Sequence, residues 1–161
     1  MKWEQLCDDG ALEGIPYRVE LTRTGQLLLS PRRSYHCIYQ SRIIRWLNAT
    51  LPEGEAMPEC PIETETGVVV ADVAWASAEK VKRNFDLPNW VESPEIVVEV
   101  LSPSNDEAEI RQKREAVFRK GAIEFWVCDQ RGSLQFFGAR GRLAKSRRCP
   151  KFPSSVAAPA A

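Results

Sequence analysis

One apolar run constrains the fold more than any other stretch of the chain: residues 96–101, with the sequence Ile-Val-Val-Glu-Val-Leu. A β-branched run of this length is typical of a strand that is covered on both faces. Glu99 lies in its middle, and an isolated carboxylate is costly to remove from water. We therefore expect Glu99 to be neutralised, paired with a cation or bound to a metal ion.

A helix and a second strand are predicted directly after this run. A Ser-Pro-Ser turn ends the strand, and Ser104 followed by Glu107 has the pattern of a capping box at the start of a helix. The helix should continue to about Lys120, with Gly121 as its C-terminal stop. Residues 125–128 form the next apolar segment, so the stretch predicts a strand–helix–strand unit.

The predicted helix carries a lysine on its apolar face. Ile110, Lys113 and Val117 have the spacing i, i+3 and i+7, which is one side of a helix. Given the rise of a helix and of a strand, Lys113 can reach Glu99 and pair with it. In the alternative interpretation, Lys113 lies at the edge of the apolar stripe and extends its ammonium into water.

Asp72 interrupts a second apolar run, residues 68–75. Two neighbouring strands that each bury a carboxylate bring like charges together, which raises a pKa or requires a cation. Oxygen ligands suit Mg²⁺ or Mn²⁺, whereas zinc is disfavoured because no Cys/His cluster is present. A nearby ammonium could stabilise the charge that develops during phosphodiester hydrolysis. Alternatively, Asp72 lies at a strand end and Glu99 points outward.

The remaining segments complete an α/β protein. The pattern predicts a β-hairpin, a long helix, one further strand before Asp72, a polar connection and a closing strand. Together these elements predict an α/β sandwich around a mixed sheet. The hairpin comprises residues 17–21 and 26–30, the long helix 34–51, the further strand 60–64, the polar connection 77–87 and the closing strand 134–137.

Length and composition indicate a soluble protein with one domain, residues 1–153, and a disordered tail, residues 154–161. Hydrophobic residues make up 43% and charged residues 27% of the 161 positions. No apolar run approaches the length of a membrane span, and the first residues do not resemble a signal peptide. The five cysteines are scattered, which argues against a disulfide framework and favours the cytoplasm.

Charge is balanced overall but unevenly distributed. From residue 131 onward the chain contains basic residues and no Asp or Glu. Such a segment can contact phosphate groups, although solvated surface charge is the commoner explanation. The basic positions are Arg131, Arg140, Arg142, Lys145, Arg147, Arg148 and Lys151.

The motifs described above resemble those of a known family. The string PEIVVEVLSPS at residues 94–104, followed by Lys113, Gly121 and EFWV at 124–127, closely resembles the Uma-type endonuclease family. That family belongs to the PD-(D/E)xK, restriction-endonuclease-like superfamily. The resemblance covers nearly the whole chain in order. Its other matching segments are GQLLLSP at 25–31, His36, ADVA at 71–74 and CPKFP at 149–153.

The resemblance implies a restriction-endonuclease-like fold, in which a central mixed β-sheet is flanked by α-helices. It also implies Mg²⁺-dependent cleavage of DNA. Asp72 matches the first metal-binding acid of the family and Glu99 the second, and the backbone carbonyl of Val100 would be a further ligand. The usual lysine of the superfamily would stand at Leu101, but Uma-type proteins carry it on the following helix, where Lys113 matches.

Two further residues are candidates for accessory roles. Glu20 in the first hairpin is similar to an acid that some family members place near the metal. His36, the one histidine, is either a general base or, as the commoner role, a packing or capping residue at the helix start. Ala71 departs from the family, which usually has proline there, and Val117 stands where tyrosine is frequent.

The sequence thus leads to one main functional hypothesis and one alternative. The main hypothesis is an endonuclease that uses Mg²⁺ (or Mn²⁺) at Asp72 and Glu99, assisted by Lys113, and that acts on nucleic acid, with DNA the expected substrate. The alternative is a non-catalytic domain that binds nucleic acid or a partner protein and retains the nuclease fold. A homodimer is a further expectation, because many nucleases of this type act as pairs on duplex DNA.

Overall fold

A computed structural model describes residues 2–12, 15, 17–31, 33–103 and 105–158. Within these residues the chain forms four α-helices and eight strands that belong to one sheet. The helices are α1 (Trp3–Cys7), α2 (Ser34–Thr50), α3 (Ala78–Asn84) and α4 (Glu107–Arg119). The strands are β1 (Tyr17–Thr22), β2 (Leu27–Pro31), β3 (Gly54–Thr64), β4 (Gly67–Ser77), β5 (Ile96–Val100), β6 (Glu124–Cys128), β7 (Leu134–Gly138) and β8 (Gly141–Leu143).

The sheet is mixed, as predicted. Its order is β2-β1-β4-β5-β6-β7-β8, with β3 paired to β4 outside this path. β5 and β6 are parallel because helix α4 crosses over between them, and the other pairs are antiparallel. The N-terminal hairpin β1–β2 and the strand–helix–strand unit β5–α4–β6 both confirm the expected restriction-endonuclease-like α/β architecture.

The sheet contains a fork along β4. On one side, β3 pairs with β4 over nearly its whole length. On the other side, β1 pairs with the start of β4 through Leu21 and Val68, and β5 pairs with its end through Val73 and Val98. Between these two pairings, residues 69–72 of β4 have no strand partner on that side among the described residues. Side chains must therefore satisfy the polar backbone groups there.

Helices α2 and α4 cover opposite faces of the sheet. Along β5, Val98 packs with the cluster that contains Leu47 of α2, whereas Val97 packs with the cluster that contains Val117 of α4. Each of these four side chains is fully buried, which stabilises the fold by about 1.5–3 kcal/mol per side chain. Because side chains alternate along a strand, Glu99 shares the face of Val97 and points toward α4.

Helix α4 has nearly the predicted ends. It begins at Glu107, and Oδ1 of Asp106 accepts a hydrogen bond from Ala108 N at 3.1 Å, which caps the helix. The predicted capping residue, Ser104, lies outside the described residues. After the helix, Gly121 has a φ of +96°, a left-handed conformation that glycine adopts without strain and that ends the helix as expected.

Three local predictions differ from the structure. The segment predicted as a polar connection contains helix α3. This helix was not predicted because it is short and has no apolar stripe. Strand β3 begins at Gly54 rather than near Cys60, and it contains two prolines, Pro58 and Pro61. They are tolerated since β3 lies at an edge, with one isolated bridge, Ile62 to Trp90, on its free side. Strand β8 was not predicted.

Every helix in the described part is too short or too polar to span a bilayer.

The C-terminal segment packs on the sheet for part of its length. Val156 is fully buried, and the carbonyl of Ser154 accepts a hydrogen bond from Leu134 N at 2.8 Å. Residues 154–158 thus contact the sheet where a disordered tail was expected, because one buried valine fixes the segment against the apolar cluster beneath α2. Residues 159–161 of the predicted tail lie outside the described residues.

Candidate active site

Charged and polar side chains from five elements meet in the fork between β1 and β5. Glu20 is partly buried and the other six side chains are buried. Their arrangement is therefore set by mutual contacts rather than by water. They comprise Arg18 and Glu20 from β1, His36 and Gln40 from α2, Asp72 from β4, Glu99 from β5 and Lys113 from α4.

Asp72 takes the place of a strand-to-strand hydrogen bond at the point where β4 and β5 separate. Its Oδ2 accepts a hydrogen bond from Val100 N at 2.7 Å and lies 3.2 Å from His36 Nε2. Its Oδ1 accepts one from Arg18 Nη1 at 2.6 Å. Burial would raise the pKa of this carboxyl, but the hydrogen bond from His36 and the charge of Arg18 outweigh burial and lower the pKa. Asp72 is therefore ionised at neutral pH.

Glu99 lies in a less favourable environment for its charge. The side chain is 2% exposed, with Oε2 3.3 Å from Arg18 Nη1 and Oε1 2.9 Å from Lys113 Nζ. Burial and the neighbouring charge of Asp72 raise the pKa of Glu99 to about 7, against the opposing effect of the two cations. Despite its closeness to Lys113, Oε1 accepts no hydrogen bond among the described residues.

Lys113 reaches into the fork from α4 and contacts Glu99 as its position on the helix predicted. Its Nζ donates to Glu20 Oε1 and to the carbonyl of Val70, each at 2.8 Å. Only 9% of the side chain is exposed, so it does not extend into water. Burial would lower its pKa, but Glu99 and Glu20 outweigh burial and raise the pKa. The group is therefore an ammonium ion.

Glu20, the candidate accessory acid, belongs to the same cluster. Its Oε1 accepts a hydrogen bond from Val70 N at 2.9 Å, so Glu20 and Lys113 together satisfy both backbone groups of a residue in the fork. Burial would raise the pKa of Glu20, but Lys113 and Arg18 outweigh burial and lower it. The side chain thus carries a negative charge beside the lysine.

His36 and Gln40 approach Asp72 from α2. The residue at the helix cap is Arg33, so His36 is not a capping residue, and its buried ring contacts the carboxylate instead. One turn later on the same stripe, Gln40 Nε2 donates to the carbonyl of Asp72 at 2.8 Å and to Glu59 Oε1 at 2.6 Å. The sequence analysis did not identify Gln40, although its i+4 spacing from His36 placed it on the buried face.

Arg18 is the most important residue that the sequence analysis missed. Its Nη1 contacts both acids, at 2.6 Å from Asp72 Oδ1 and 3.3 Å from Glu99 Oε2, and it also donates to the carbonyl of Val70 at 3.3 Å. The signal was available in β1, where Arg18 and Glu20 alternate with apolar residues and so share one face.

The comparisons with known proteins agree with this fold. A family model described as "Uma2: Putative restriction endonuclease" matches residues 3–153. The chain belongs to the Uma2 family. A solved structure from Anabaena variabilis, described as a putative nuclease belonging to DUF820, is similar with a TM-score of 0.69 and 13% identity, over 95% of this chain and 82% of that chain. No curated protein matches the sequence.

The donor set of this Uma2 protein suits a small divalent cation. One atom, Arg18 Nη1, contacts an oxygen of Asp72 and an oxygen of Glu99, so the two carboxylates share one cation position. Glu99 Oε1 adds a buried acceptor with no hydrogen bond among the described residues. These oxygen donors fit Mg²⁺ or Mn²⁺. No group of three or more Cys, His, Asp or Glu side chains in the described ranges is arranged to hold a metal.

A cleft connects this cluster to the surface of the Uma2 protein. It has a volume of about 510 Å³ and runs between the β1–β2 hairpin and helix α4. Leu28 and Leu29 of β2 line it on one side and Ile110 of α4 on the other, while Glu99 and Lys113 line its interior. Arg18 and Glu20 also line the cleft, whereas Asp72 does not.

Proposed function

We propose that the chain is a divalent-metal-dependent endonuclease that hydrolyses phosphodiester bonds in nucleic acid, with DNA as the expected substrate. The observation that carries this proposal is the contact of Arg18 Nη1 with both Asp72 and Glu99, since it marks one position where a cation meets two carboxylates. Asp72, Glu99 and the carbonyl of Val100 are the proposed ligands of Mg²⁺ or Mn²⁺. The Uma2 family and its nuclease-like fold support the same assignment.

The residues around this position have distinct proposed roles. A divalent ion, when bound, supplies positive charge to the phosphoryl oxygen and lowers the pKa of a coordinated water. Lys113 is an ammonium ion, so its role is to stabilise negative charge and orient the attacking water rather than to remove a proton. Glu20 holds the ammonium in place and His36 orients Asp72.

Cleavage assays with matched variants test the proposal. Purified protein is incubated with single-stranded and duplex DNA and RNA, with Mg²⁺, with Mn²⁺ and with EDTA. We expect Glu99→Gln and Lys113→Met to lower the cleavage rate by about 10²-fold or more, because each removes charge at the reacting group. Glu55→Gln and Lys82→Met change the same residue types at exposed positions and should retain full activity.

Cleavage that survives unchanged in the folded Glu99→Gln and Lys113→Met variants would point to a contaminating nuclease and overturn the proposal. Circular dichroism and thermal unfolding establish that each variant is folded. A crystal soaked in Mn²⁺ provides a second test, since the anomalous signal should lie between Asp72 and Glu99. Sedimentation velocity on the same preparation measures the proposed homodimer.

One observation favours a second candidate function, a non-catalytic domain that binds nucleic acid. A cavity of about 400 Å³ is lined by four arginines, none of which forms an ion pair with another described residue. The guanidinium of Arg148 lies over the ring of Trp75, 5.3 Å from its centroid. Guanidinium groups that lack a carboxylate partner are suited to phosphate oxygens. This candidate predicts metal-independent DNA binding with a steep salt dependence and no cleavage. The four are Arg140, Arg142, Arg147 and Arg148.

A further inference from the structure

Arg18 occupies the position between the two acids. Its guanidinium projects from β1 into the fork, where Nη1 lies 2.6 Å from Asp72 Oδ1 and 3.3 Å from Glu99 Oε2. The side chain is 9% exposed, and its Nε has no hydrogen-bond partner among the described residues. Besides the two carboxylates, Nη1 contacts the carbonyl of Val70 at 3.3 Å.

This arrangement has a physical reason. Two carboxylates that are nearly excluded from water repel each other strongly unless a cation lies between them. Burial opposes the charge of Arg18, but Glu99 and Asp72 outweigh burial and raise the pKa, so the guanidinium keeps its charge. A divalent ion that bound both of these carboxylate oxygens would compete with Nη1 for them. Both cations cannot occupy the position together.

We propose that Arg18 is a resident counter-ion that a divalent metal must displace, so that this residue sets the metal affinity of the site. The inference rests on the proposed metal-dependent function. In the metal-free protein, Arg18 neutralises Asp72 and Glu99 and keeps them together. Metal binding then requires a second state in which the guanidinium has left the carboxylates.

The guanidinium of Arg18 has alternative partners near the fork. Glu20 lies two residues further along the same face of β1, and its Oε1 is 3.8 Å from Arg18 Nη2. The cleft also borders Arg18, so a phosphate group there can accept the released guanidinium in a charge-assisted pair. A phosphate ligand should therefore favour the displaced state and tighten metal binding. By linkage, metal should tighten phosphate binding by the same factor.

Metal affinity measured without any cleavage assay tests the proposal. Free Mn²⁺ is quantified by electron paramagnetic resonance during titration of the wild type, Arg18→Met and Arg119→Met. If the displaced state makes up about 10% or less of the wild type, Arg18→Met should bind Mn²⁺ about tenfold tighter or more. Arg119→Met removes an exposed arginine that also pairs with a carboxylate, Glu65, and should match the wild type.

A second titration tests the coupling. Adding a short single-stranded oligodeoxynucleotide with non-cleavable phosphorothioate linkages should tighten Mn²⁺ binding in the wild type and in Arg119→Met. It should have a smaller effect in Arg18→Met, where no guanidinium needs a new partner. Equal oligonucleotide effects in all three proteins would overturn the coupling through Arg18.

The remaining outcomes separate this inference from the proposed function. If Arg18→Met binds Mn²⁺ with equal or weaker affinity, Arg18 is not a competitor, while the metal site itself stands. If none of the proteins binds Mn²⁺, both the inference and the proposed function are wrong. Should Arg18→Met unfold without metal, we expect Mn²⁺ to restore its folded circular dichroism spectrum, and failure of that recovery in both Arg18→Met and Arg18→Lys overturns the proposal.

Discussion

Glu20 and Lys113 lie 93 positions apart in the chain, and their side chains meet at 2.8 Å. The same Glu20 oxygen also accepts a hydrogen bond from Val70 N. One carboxylate of β1 thereby links helix α4 to the unpaired part of β4. The ammonium of Lys113 donates to Glu20 and to the carbonyl of Val70 and lies 2.9 Å from Glu99 Oε1, which fixes its position beside the acidic pair.

We expect Glu20→Ala to slow cleavage without weakening substrate binding. Losing the carboxylate frees the Lys113 ammonium to move, and removing a residue that orients a catalytic group costs about 10–100-fold in activity. Glu20→Gln keeps an oxygen that can accept from Lys113, so its loss should be smaller. Steady-state kinetics should show a lower kcat with an unchanged KM in both variants.

An exposed acid gives the control for this experiment. Glu55→Gln, on the surface of β3, should leave kcat and KM unchanged. If Glu20→Ala instead raises KM alone, Glu20 contacts substrate and does not position Lys113.

The fold was largely predictable because its central unit follows simple periodicity. The run at 96–101 predicted a covered strand, and the 3.6-residue spacing of Ile110, Lys113 and Val117 predicted the inner face of α4. Helix α3 and strand β8 were missed because they are short and carry little apolar pattern. Strand β3 was predicted too short because residues 54–59 include a glycine, a proline and two glutamates, residue types that are depleted in strands.

The site was predictable where a charge interrupts an apolar pattern. Asp72, Glu99 and Lys113 all break such patterns, and the structure brings them together. Arg18 and Gln40 were missed because strand β1 and the start of α2 look like ordinary half-exposed surfaces in the sequence. Their burial depends on the fork in the sheet, which arises from pairing between distant strands and has no local signal.

Stability of the metal-free protein should fall as pH rises from about 4.3 to about 7. The pKa of Glu99 is raised to about 7, so the folded state favours its protonated form. That contribution is fully present below the ordinary pKa of about 4.3 and is lost as pH rises through the folded-state value. Glu99→Gln mimics the protonated form, so above pH 7 it should unfold at a higher temperature than the wild type.

Asp72 and Glu20 make stability depend on pH with the opposite sign. Both have lowered pKa values, so their contribution is present above the ordinary values of about 4 and is lost as pH falls through the folded-state values. Thermal unfolding in EDTA from pH 3 to 9 should therefore show greatest stability at about pH 4.5, a decline from there to about pH 7 and little further change from these groups above it. Parallel profiles for the wild type and Glu99→Gln between about pH 4.5 and 7 would contradict the assignment for Glu99.

His36→Leu should weaken Mn²⁺ binding. The ring lies 3.2 Å from Asp72 Oδ2, and loss of a residue that orients a metal ligand costs about 10–100-fold in affinity. His36→Gln retains a donor and should lose less. Cys37→Ala changes the adjacent, exposed position of the same helix and should bind Mn²⁺ like the wild type. A titration that finds His36→Leu equal to Cys37→Ala would remove His36 from the site.

Glu124→Gln should destabilise the fold while leaving the metal site intact. The buried carboxylate accepts hydrogen bonds from Trp126 Nε1, Ser146 Oγ and the backbone N–H groups of Arg147 and Arg148, at 2.7–2.9 Å. An amide would turn an N–H group toward two of these donors. Because each hydrogen bond to a charged group contributes about 1.5–3 kcal/mol, we expect a loss of about 3 kcal/mol or more in the free energy of unfolding.

Urea unfolding measures this loss, with Glu55→Gln as the exposed control. Folded Glu124→Gln protein should bind Mn²⁺ like the wild type, because Glu124 contacts none of the residues in the fork. A change in unfolding free energy of less than about 1 kcal/mol would mean that the 146–148 segment does not depend on this carboxylate. Weakened Mn²⁺ binding in the folded variant would mean that the start of β6 is coupled to the fork through β5, since Glu124 pairs with Ile96 at the start of β5 and Glu99 lies further along β5.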